Sequence, residues 1–282
     1  MNHIVIIPTH NEEKFISLLL ESIINQQVKP TKVIVVNDNS TDKSVDIINT
    51  YCKNYSFINL VNNISSNQHL PGEKVINAFN KGFLTIKEDF NLVTKLDADI
   101  ILPPNYFKEV NHIFEINDRV GICGGVALIE KNKQWVLEKV ANKEHVRGGL
   151  KSYRKECFYA IGKLKPSMGW DTVDELLALY NNWEVKVIHN LAAKHLKPTT
   201  ANYSSINSKN QAIAFYKMDY GLLLSILSIL KAAYRKKSIY FIFGAIKGYL
   251  FALEKKQKIV NREEGKFIRA YRWKEIFKKI YL

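Results

Sequence analysis

An α/β fold with a largely parallel central sheet is the architecture this 282-residue chain predicts. Three observations carry that expectation. Short β-branched runs alternate with longer amphipathic segments through the first two hundred residues. Within the longer segments apolar residues recur at helical spacing, as Val45, Ile48 and Tyr51 or Cys52 do. Polar clusters also follow the β-branched runs where a strand should hand over to a helix, the edge at which open α/β sheets bind ligands.

Residues 3–7, 32–36, 57–61 and 92–96 read as strands, and residues 12–27, 41–55 and 73–88 as the helices between them. Ser40 or Thr41 is placed to cap the second helix. Right-handed crossovers then put every strand's carboxyl end on one edge. After Asp99 the rhythm changes. Pro103-Pro104 opens a helix to about residue 116, residues 120–129 and 144–153 are strand-like, 171–180 helical and 184–188 strand-like again. The expected division is a catalytic domain over residues 1–205 and an amphipathic helical region over residues 206–282.

The two parts differ in charge. From Lys209 to Leu282 there are 17 Lys and Arg against 5 Asp and Glu, so +12 of the chain's net +14 belongs to the tail. Its apolar runs are interrupted and flanked by Lys231, Arg235, Lys236, Lys237 and Lys247, and the longest uncharged stretch, residues 220–230, is far shorter than the roughly 18 residues a membrane-spanning helix needs. Apolar helices rimmed by cations suit the surface of an anionic membrane, and the interleaving of charge with apolar stretches argues against nucleic acid. The composition excludes a disordered or collagen-like chain. Cys52, Cys123 and Cys157 make no CxxC pair, which fits a reducing compartment. The opening MNHIVIIPTH has no cationic, apolar and cleavage-site sequence of an export signal. The expected location is therefore cytoplasmic, peripheral on the inner face of the cell membrane.

Five segments have residue types that can do chemistry. Pro8-Thr9-His10-Asn11-Glu12 ends the first strand and presents backbone and side-chain groups suited to a nucleotide, although Thr9 or Asn11 also suits a helix cap. Asn37-Asp38-Asn39-Ser40-Thr41-Asp42 supplies more polar groups than one cap requires, and Asn37 has both the donor and the acceptor to read a nucleobase edge. Asp97-Ala98-Asp99 places two mutually repelling carboxylates at a strand end, which calls for a cation: Mg²⁺ or Mn²⁺ completed by phosphate oxygens, or Lys95. Asp171, Asp174 and Glu175 share one face of a helix. Asp171, after Gly169-Trp170, is placed to act as a general base from a loop, whereas Asp174 and Glu175 also suit the helix dipole. His195, in Lys194-His195-Leu196-Lys197-Pro198, follows the last strand-like segment and is a candidate metal ligand.

Taken in order, PTHNE, VVNDNSTD, KLDADI, GWDTVDE and KHLKP resemble the family 2 glycosyltransferases with the GT-A fold, over about residues 2–198. The resemblance implies inverting transfer of a sugar from a nucleotide-diphosphate donor to a saccharide or lipid-linked acceptor, in cell-surface polysaccharide or glycolipid synthesis. It assigns Pro8, Thr9, Asn11, Glu12, Asn37, Asp38, Lys74 and Asp97 to the nucleotide sugar. Arg147 and Trp170 fall to the acceptor, and Asp97, Asp99 and His195 to a divalent cation, Mg²⁺ or Mn²⁺. Asp171, Asp174 and Glu175 are the candidate catalytic carboxylates. Two positions depart from the family pattern: Asn37 stands where a carboxylate is usual, and Trp170-Asp171 where a Glu-Asp pair is usual. A catalytically inactive membrane-surface scaffold that binds nucleotide sugar or an acidic polymer is the alternative. A nucleotidyltransferase ranks last, because no Gly-rich basic phosphate loop precedes Asn37.

Overall fold

Ile4, Val5, Ile6 and Ile7 are all buried, as are Val33 to Val36, so the first two strands are covered on both faces. Successive side chains of a strand point to opposite faces, so a strand enclosed by helices needs an unbroken apolar run rather than alternation. In the computed structural model, which describes residues 1–65, 72–138, 143–197 and 205–280 (backbone only for 205–207 and 279–280), this is what β1 (His3–Thr9) and β2 (Lys32–Asp38) show. Val5, Ile7, Val33 and Val35 pack on one face, in a core with α1 (Ile16–Ile24) and Ile48 of α2 (Ser44–Asn54). On the other face α3 (Glu73–Phe83) lies so close that a methyl group added at Gly82 would stand 2.6 Å from Val36 and 2.9 Å from Ile6.

β3 (Ile58–Asn63), β2, β1 and β4 (Leu92–Leu96) are hydrogen-bonded in that order, all parallel, as the alternating pattern predicts. The helices are shorter than their periodicity suggested. α2 starts at Ser44, and its entry is not capped by Ser40 or Thr41: Asp42 accepts from the Ser44 amide at 3.0 Å, while Ser40 Oγ accepts from the Asn11 amide at 3.0 Å.

Beyond β4 the sheet becomes mixed. After β5 (Ile100–Ile101) and α4 (Tyr106–Ile116) come β6 (Val120–Lys131), β7 (Gln134–Leu137) and β8 (Leu150–Arg154). β8 runs antiparallel between β4 and β6, and it takes in only residues 150–153 of the expected strand at 144–153, running on to Arg154. α5 (Lys155–Ala160) follows, and the last strand, β9 (Glu184–His195), extends seven residues beyond the expected stretch. It pairs parallel with β6 and antiparallel with β5, where Ile100 stands opposite His195.

The chain folds as two units. One comprises residues 1–166 and 181–199, the other residues 167–180 and 200–282. The expected boundary at 205 lies beside residues 198–204, outside the described set, as does Pro198. The main departure is α6 (Trp170–Tyr180), which was expected in the sheet domain and belongs to the second unit. Its buried Trp170, Val173, Leu176 and Leu177 make it an amphipathic helix that needs a helical neighbour, and Tyr180 meets Phe267 edge-on at 5.5 Å. That unit also holds α7 (Ser205–Lys217), α8 (Gly221–Lys236), α9 (Tyr240–Lys255) and α10 (Arg262–Ile280). Its small core joins Ala212, Ile229, Ala233, Phe241 and Ala245. Asp219 ties its loops together, receiving hydrogen bonds from Lys258 Nζ at 2.8 Å and from Arg269. Among the described residues no helix is long and apolar enough to cross a membrane.

One buried polar group makes the first unit sensitive to acid. His3 is fully enclosed, with Nδ1 2.7 Å from Asn111 Oδ1 and Nε2 2.6 Å from Thr94 Oγ1. Nδ1 therefore donates to the amide oxygen and Nε2 accepts from the hydroxyl. Burial pushes its pKa down from 6.5 to about 4, so folding favours the neutral ring and the unfolded chain binds the extra proton. This contribution is complete above pH 6.5 and is lost as pH falls towards 4, a difference of about 3 kcal/mol. Urea unfolding of the native chain should show that loss between pH 7 and 4.5, and the His3→Gln variant should show a flatter profile over the same interval.

Candidate functional site

The parallel register sets the site. Thr9 of β1 stands opposite Asn37 of β2, and Ile6 opposite Lys95 of β4, so these three strands end on one edge with their polar residues side by side. There a cavity of about 410 Å³ is lined by Pro8, Thr9, His10, Glu12, Asp38, Lys74, Asp97 and Asp99, with Val75 and Ala78 as its apolar wall. That volume is within the range of small-ligand sites.

Two carboxylates so close at a strand end require cations, and each has its own. Asp97 pairs with the buried Lys95 ammonium. Asp99 Oδ2 lies 3.3 Å from His195 Nε2. The β5–β9 pairing brings His195 there, and the Leu196 amide donates to Asp99 O at 2.8 Å. Burial opposes the charge on Asp99, but the hydrogen bond from His195 and the charges of His195 and Lys197 outweigh it and hold its pKa below the usual carboxylate value. Burial likewise opposes the charge on His195, and the Asp99 carboxylate more than compensates, raising its pKa. Glu12 is held by Lys197 Nζ at 2.5 Å. Burial raises the Glu12 pKa, Lys197 pulls it back, and Asp99 and Asp97 add to the rise. Its Oε2 is shut off from solvent and has no hydrogen-bond partner, so it is available to a hydroxyl donor.

Other predicted residues are committed to the scaffold. Asn37 Nδ2 donates to Asn62 Oδ1 at 3.0 Å and its Oδ1 accepts from the Ser40 amide at 3.0 Å, so both groups proposed for base reading already have partners. Asp38 lines the cavity but accepts from Asn63 and Ser65. Asn11, in the left-handed region at φ 54°, accepts from the Thr41 amide and bridges the two loops. Arg147 is paired with Glu138 at 2.7 Å. Gly149 backs Asp97: its carbonyl accepts from the Asp97 amide at 3.1 Å, and a methyl group at its Cα would collide with the Asp97 carboxylate.

Lys95 takes the charge-neutralising role that the sequence allowed it, whereas the parts played by His10 and Lys197 escaped the reading of the sequence. His10 donates from Nδ1 to Asp38 O at 2.6 Å and lines the cavity; Lys95 and Lys197 neutralise its carboxylates. Lys197 lies inside the quoted motif KHLKP and could have been found by asking which cation offsets Glu12, as Lys95 was for Asp97 and Asp99.

Trp170, Asp171, Asp174 and Glu175 lie in the second unit. Asp171 is in the first turn of α6 rather than on a loop, because the helix begins one residue before it, after Gly169 turns the chain at φ 80°. It lines a second cavity, formed within that unit. Asp174 is buried and its Oδ1 accepts from the Glu175 amide at 2.7 Å.

The expected metal set contracts to one close pair. Asp99 and His195 offer a carboxylate and an imidazole in contact; the carboxylate suits Mn²⁺ or Mg²⁺ when diphosphate oxygens and water complete the shell, and the imidazole joins it only as the neutral ring. Asp97 directs one oxygen to Lys95, because the two carboxylates are separated by different cations. Among the described residues no three His, Cys, Asp or Glu side chains converge.

The site can be set beside known proteins. A curated relative, the dolichyl N-acetyl-alpha-D-glucosaminyl phosphate 3-beta-D-2,3-diacetamido-2,3-dideoxy-beta-D-glucuronosyltransferase of Methanococcus voltae, is 30% identical over 172 residues, 57% of this chain and 50% of that protein. The chain thus matches about half the length of that relative. Among solved structures, the mannosyltransferase PcManGT of Pyrobaculum calidifontis, in complex with GDP-Man and Mn²⁺, superposes with a TM-score of 0.57 at 14% identity over 90% of this chain and 86% of that one. TarS of S. aureus in complex with UDP-GlcNAc gives 0.57 at 18% identity over 76% and 65%. These likenesses establish the fold as GT-A. The sequence model of glycosyl transferase family 2 matches residues 4–145, half of the chain, and with the strand-end cavity in place the conclusion is that this protein belongs to glycosyl transferase family 2.

Proposed function

We propose that the chain transfers a sugar from a nucleoside-diphosphate donor to a saccharide held on a lipid or a growing polysaccharide, with inversion at the anomeric carbon. The observation that carries this reading is the strand-end cavity, where Glu12, Asp97, Asp99 and Lys74 meet in a chain of this family. Glu12 Oε2 suits a ribose hydroxyl, and the Lys74 ammonium suits a diphosphate oxygen. The nucleotide sugars bound in the PcManGT and TarS complexes support a donor of this class. The Methanococcus relative, named for transfer to a dolichyl N-acetyl-alpha-D-glucosaminyl phosphate, supports a lipid-linked acceptor.

Asp99 and His195, with Asp97 beside them, would hold the divalent cation, which when bound offsets negative charge on the diphosphate. The chain's own contribution is positional. Lys95 and Gly149 fix Asp97 from two sides, and Lys197 fixes Glu12. Asp171 is the general base of this reading: it takes the proton of the acceptor hydroxyl as that oxygen bonds to the anomeric carbon and the bond to the diphosphate oxygen breaks. Asp174 is less suited, because its carboxylate is buried and engaged by the Glu175 amide.

The exposed apolar faces of α8 and α9, with Leu223 69% and Tyr240 77% exposed and Arg235, Lys236 and Lys247 nearby in the chain, support a peripheral position on an anionic membrane. Co-sedimentation with vesicles containing phosphatidylglycerol should fall when Leu223 and Tyr240 are replaced by Ser, and unchanged sedimentation would remove this part of the proposal.

Two further measurements address the chemistry. Asp171→Asn should lower kcat by at least a hundredfold, about 3 kcal/mol of barrier, while the thermal shift produced by UDP- or GDP-sugar with Mn²⁺ stays within a degree of the native chain. Residual full activity would move the role to Glu175. Gly149→Ala should displace the Asp97 carboxylate and weaken sugar-nucleotide binding by about tenfold, roughly 1.4 kcal/mol, measured by calorimetry in the presence of Mn²⁺.

A further inference from the structure

The second unit contains a cavity of about 820 Å³, twice the size of the strand-end cavity and built wholly from α6, α7, α8, α10 and their connections. Phe215, Met218, Leu224, Leu227 and Ile276 give it an apolar wall. Lys231, Lys236 and Arg272 open onto it, opposed by Asp171 and Glu275. A space this large lined mainly by hydrocarbon, with cations grouped on one helix and its neighbour, fits an amphiphile better than a free sugar, whose hydroxyls would find few partners there.

Arg272 makes the polar end specific. Its guanidinium lies over the Tyr220 ring, 5.6 Å from the centroid, and Tyr220 is itself buried. The Arg272 Nε is closed off from solvent and has no hydrogen-bond partner. The same guanidinium is hydrogen-bonded to the Tyr220 hydroxyl, and with five donors in a planar fork it keeps others that are matched to phosphate oxygens. Lys231 and Lys236 are exposed and add positive charge at the same cavity.

α8 connects this cavity with the apolar exterior. Leu224 and Leu227 line the cavity, while Leu222, Leu223, Ile226 and Leu230 of the same helix are exposed. A hydrocarbon chain leaving a membrane surface would therefore meet a continuous apolar helix. Asp171 lines the cavity as well, so a saccharide hydroxyl carried by the amphiphile would come to the carboxylate proposed as base.

From these juxtapositions we infer that the second unit's cavity binds the phosphate-bearing lipid end of the acceptor, with Arg272, Lys231 and Lys236 at the phosphate and Phe215, Leu224, Leu227 and Ile276 at the hydrocarbon. The inference rests on the transferase reading above and narrows its acceptor to a lipid phosphate.

The test uses the full chain and farnesyl phosphate as probe, with farnesol and inorganic phosphate as controls, by equilibrium dialysis at 0.15 M salt. Farnesyl phosphate should bind at least tenfold more tightly than farnesol and a hundredfold more tightly than inorganic phosphate. Arg272→Gln should weaken it about tenfold and bring it close to farnesol. Leu227→Trp, which fills the cavity from its exposed side, should weaken both lipids about tenfold. Should either variant fail to fold by circular dichroism, the double variant of the exposed residues, Lys231→Gln with Lys236→Gln, decides with an expected three- to tenfold loss. Equal affinity for farnesol and farnesyl phosphate, or unchanged affinity in the folded variants, overturns the inference. The Mn²⁺-dependent thermal shift with UDP- and GDP-sugars is read on the same preparations. If the shift persists without lipid-phosphate binding, this inference fails alone; if lipid phosphate binds and no sugar nucleotide does, the cavity stands and the transferase reading fails.

Discussion

The charge arrangement at the carboxyl edge of the first four strands governs the first unit. Parallel pairing of β1, β2 and β4 in their observed register brings Glu12, Asp38, Asp97 and Asp99 to one cavity, and like charges gathered in a partly buried place destabilise a fold unless each is matched. The matching groups come from separate parts of the chain: Asn63 and Ser65 donate to Asp38, Lys95 comes from β4 itself, and His195 and Lys197 stand at and just past the end of β9, about a hundred residues later. The antiparallel pairing of β5 with β9 is therefore more than an edge decoration, since it closes the charge balance that the parallel half opens.

Tight backbone packing supports the same edge. Gly82 lets α3 approach the sheet beneath β1 and β2, and Gly149 lets β8 and its entering loop press against Asp97. Close contact of this kind transmits small changes in volume into side-chain displacement, because the interior has no slack to absorb them. The positions that hold the carboxylates in place are thus partly glycines, which have no functional group of their own.

The second unit works by different physics. Its core is small, and much of the apolar surface of α8 and α9 is exposed, with net positive charge distributed along the same helices. Large exposed apolar area is costly in water and is retained where a partner or a lipid surface covers it. The Asp219 cluster with Lys258 and Arg269 shows where this unit has its own internal anchor. Its cavity, lined by Asp171 at one point and by cations at another, gives the helices a role beyond adhesion to a surface.

By itself the sequence determined the local features of this protein. Unbroken runs such as Ile4 to Ile7 and Val33 to Val36 declared buried parallel strands, Pro103-Pro104 declared a helix start, and the ordered motifs declared the family, because period, turn chemistry and short motifs are properties of neighbouring residues. Only the tertiary structure decided the pairings over long separations. That Asp99 turns to His195, that Lys197 reaches Glu12, that Asn37 is held by Asn62, and that α6 belongs with the basic helices depend on sheet order and helix packing. Those are set by burial of faces contributed from distant segments, and no local pattern encodes which distant face will cover which.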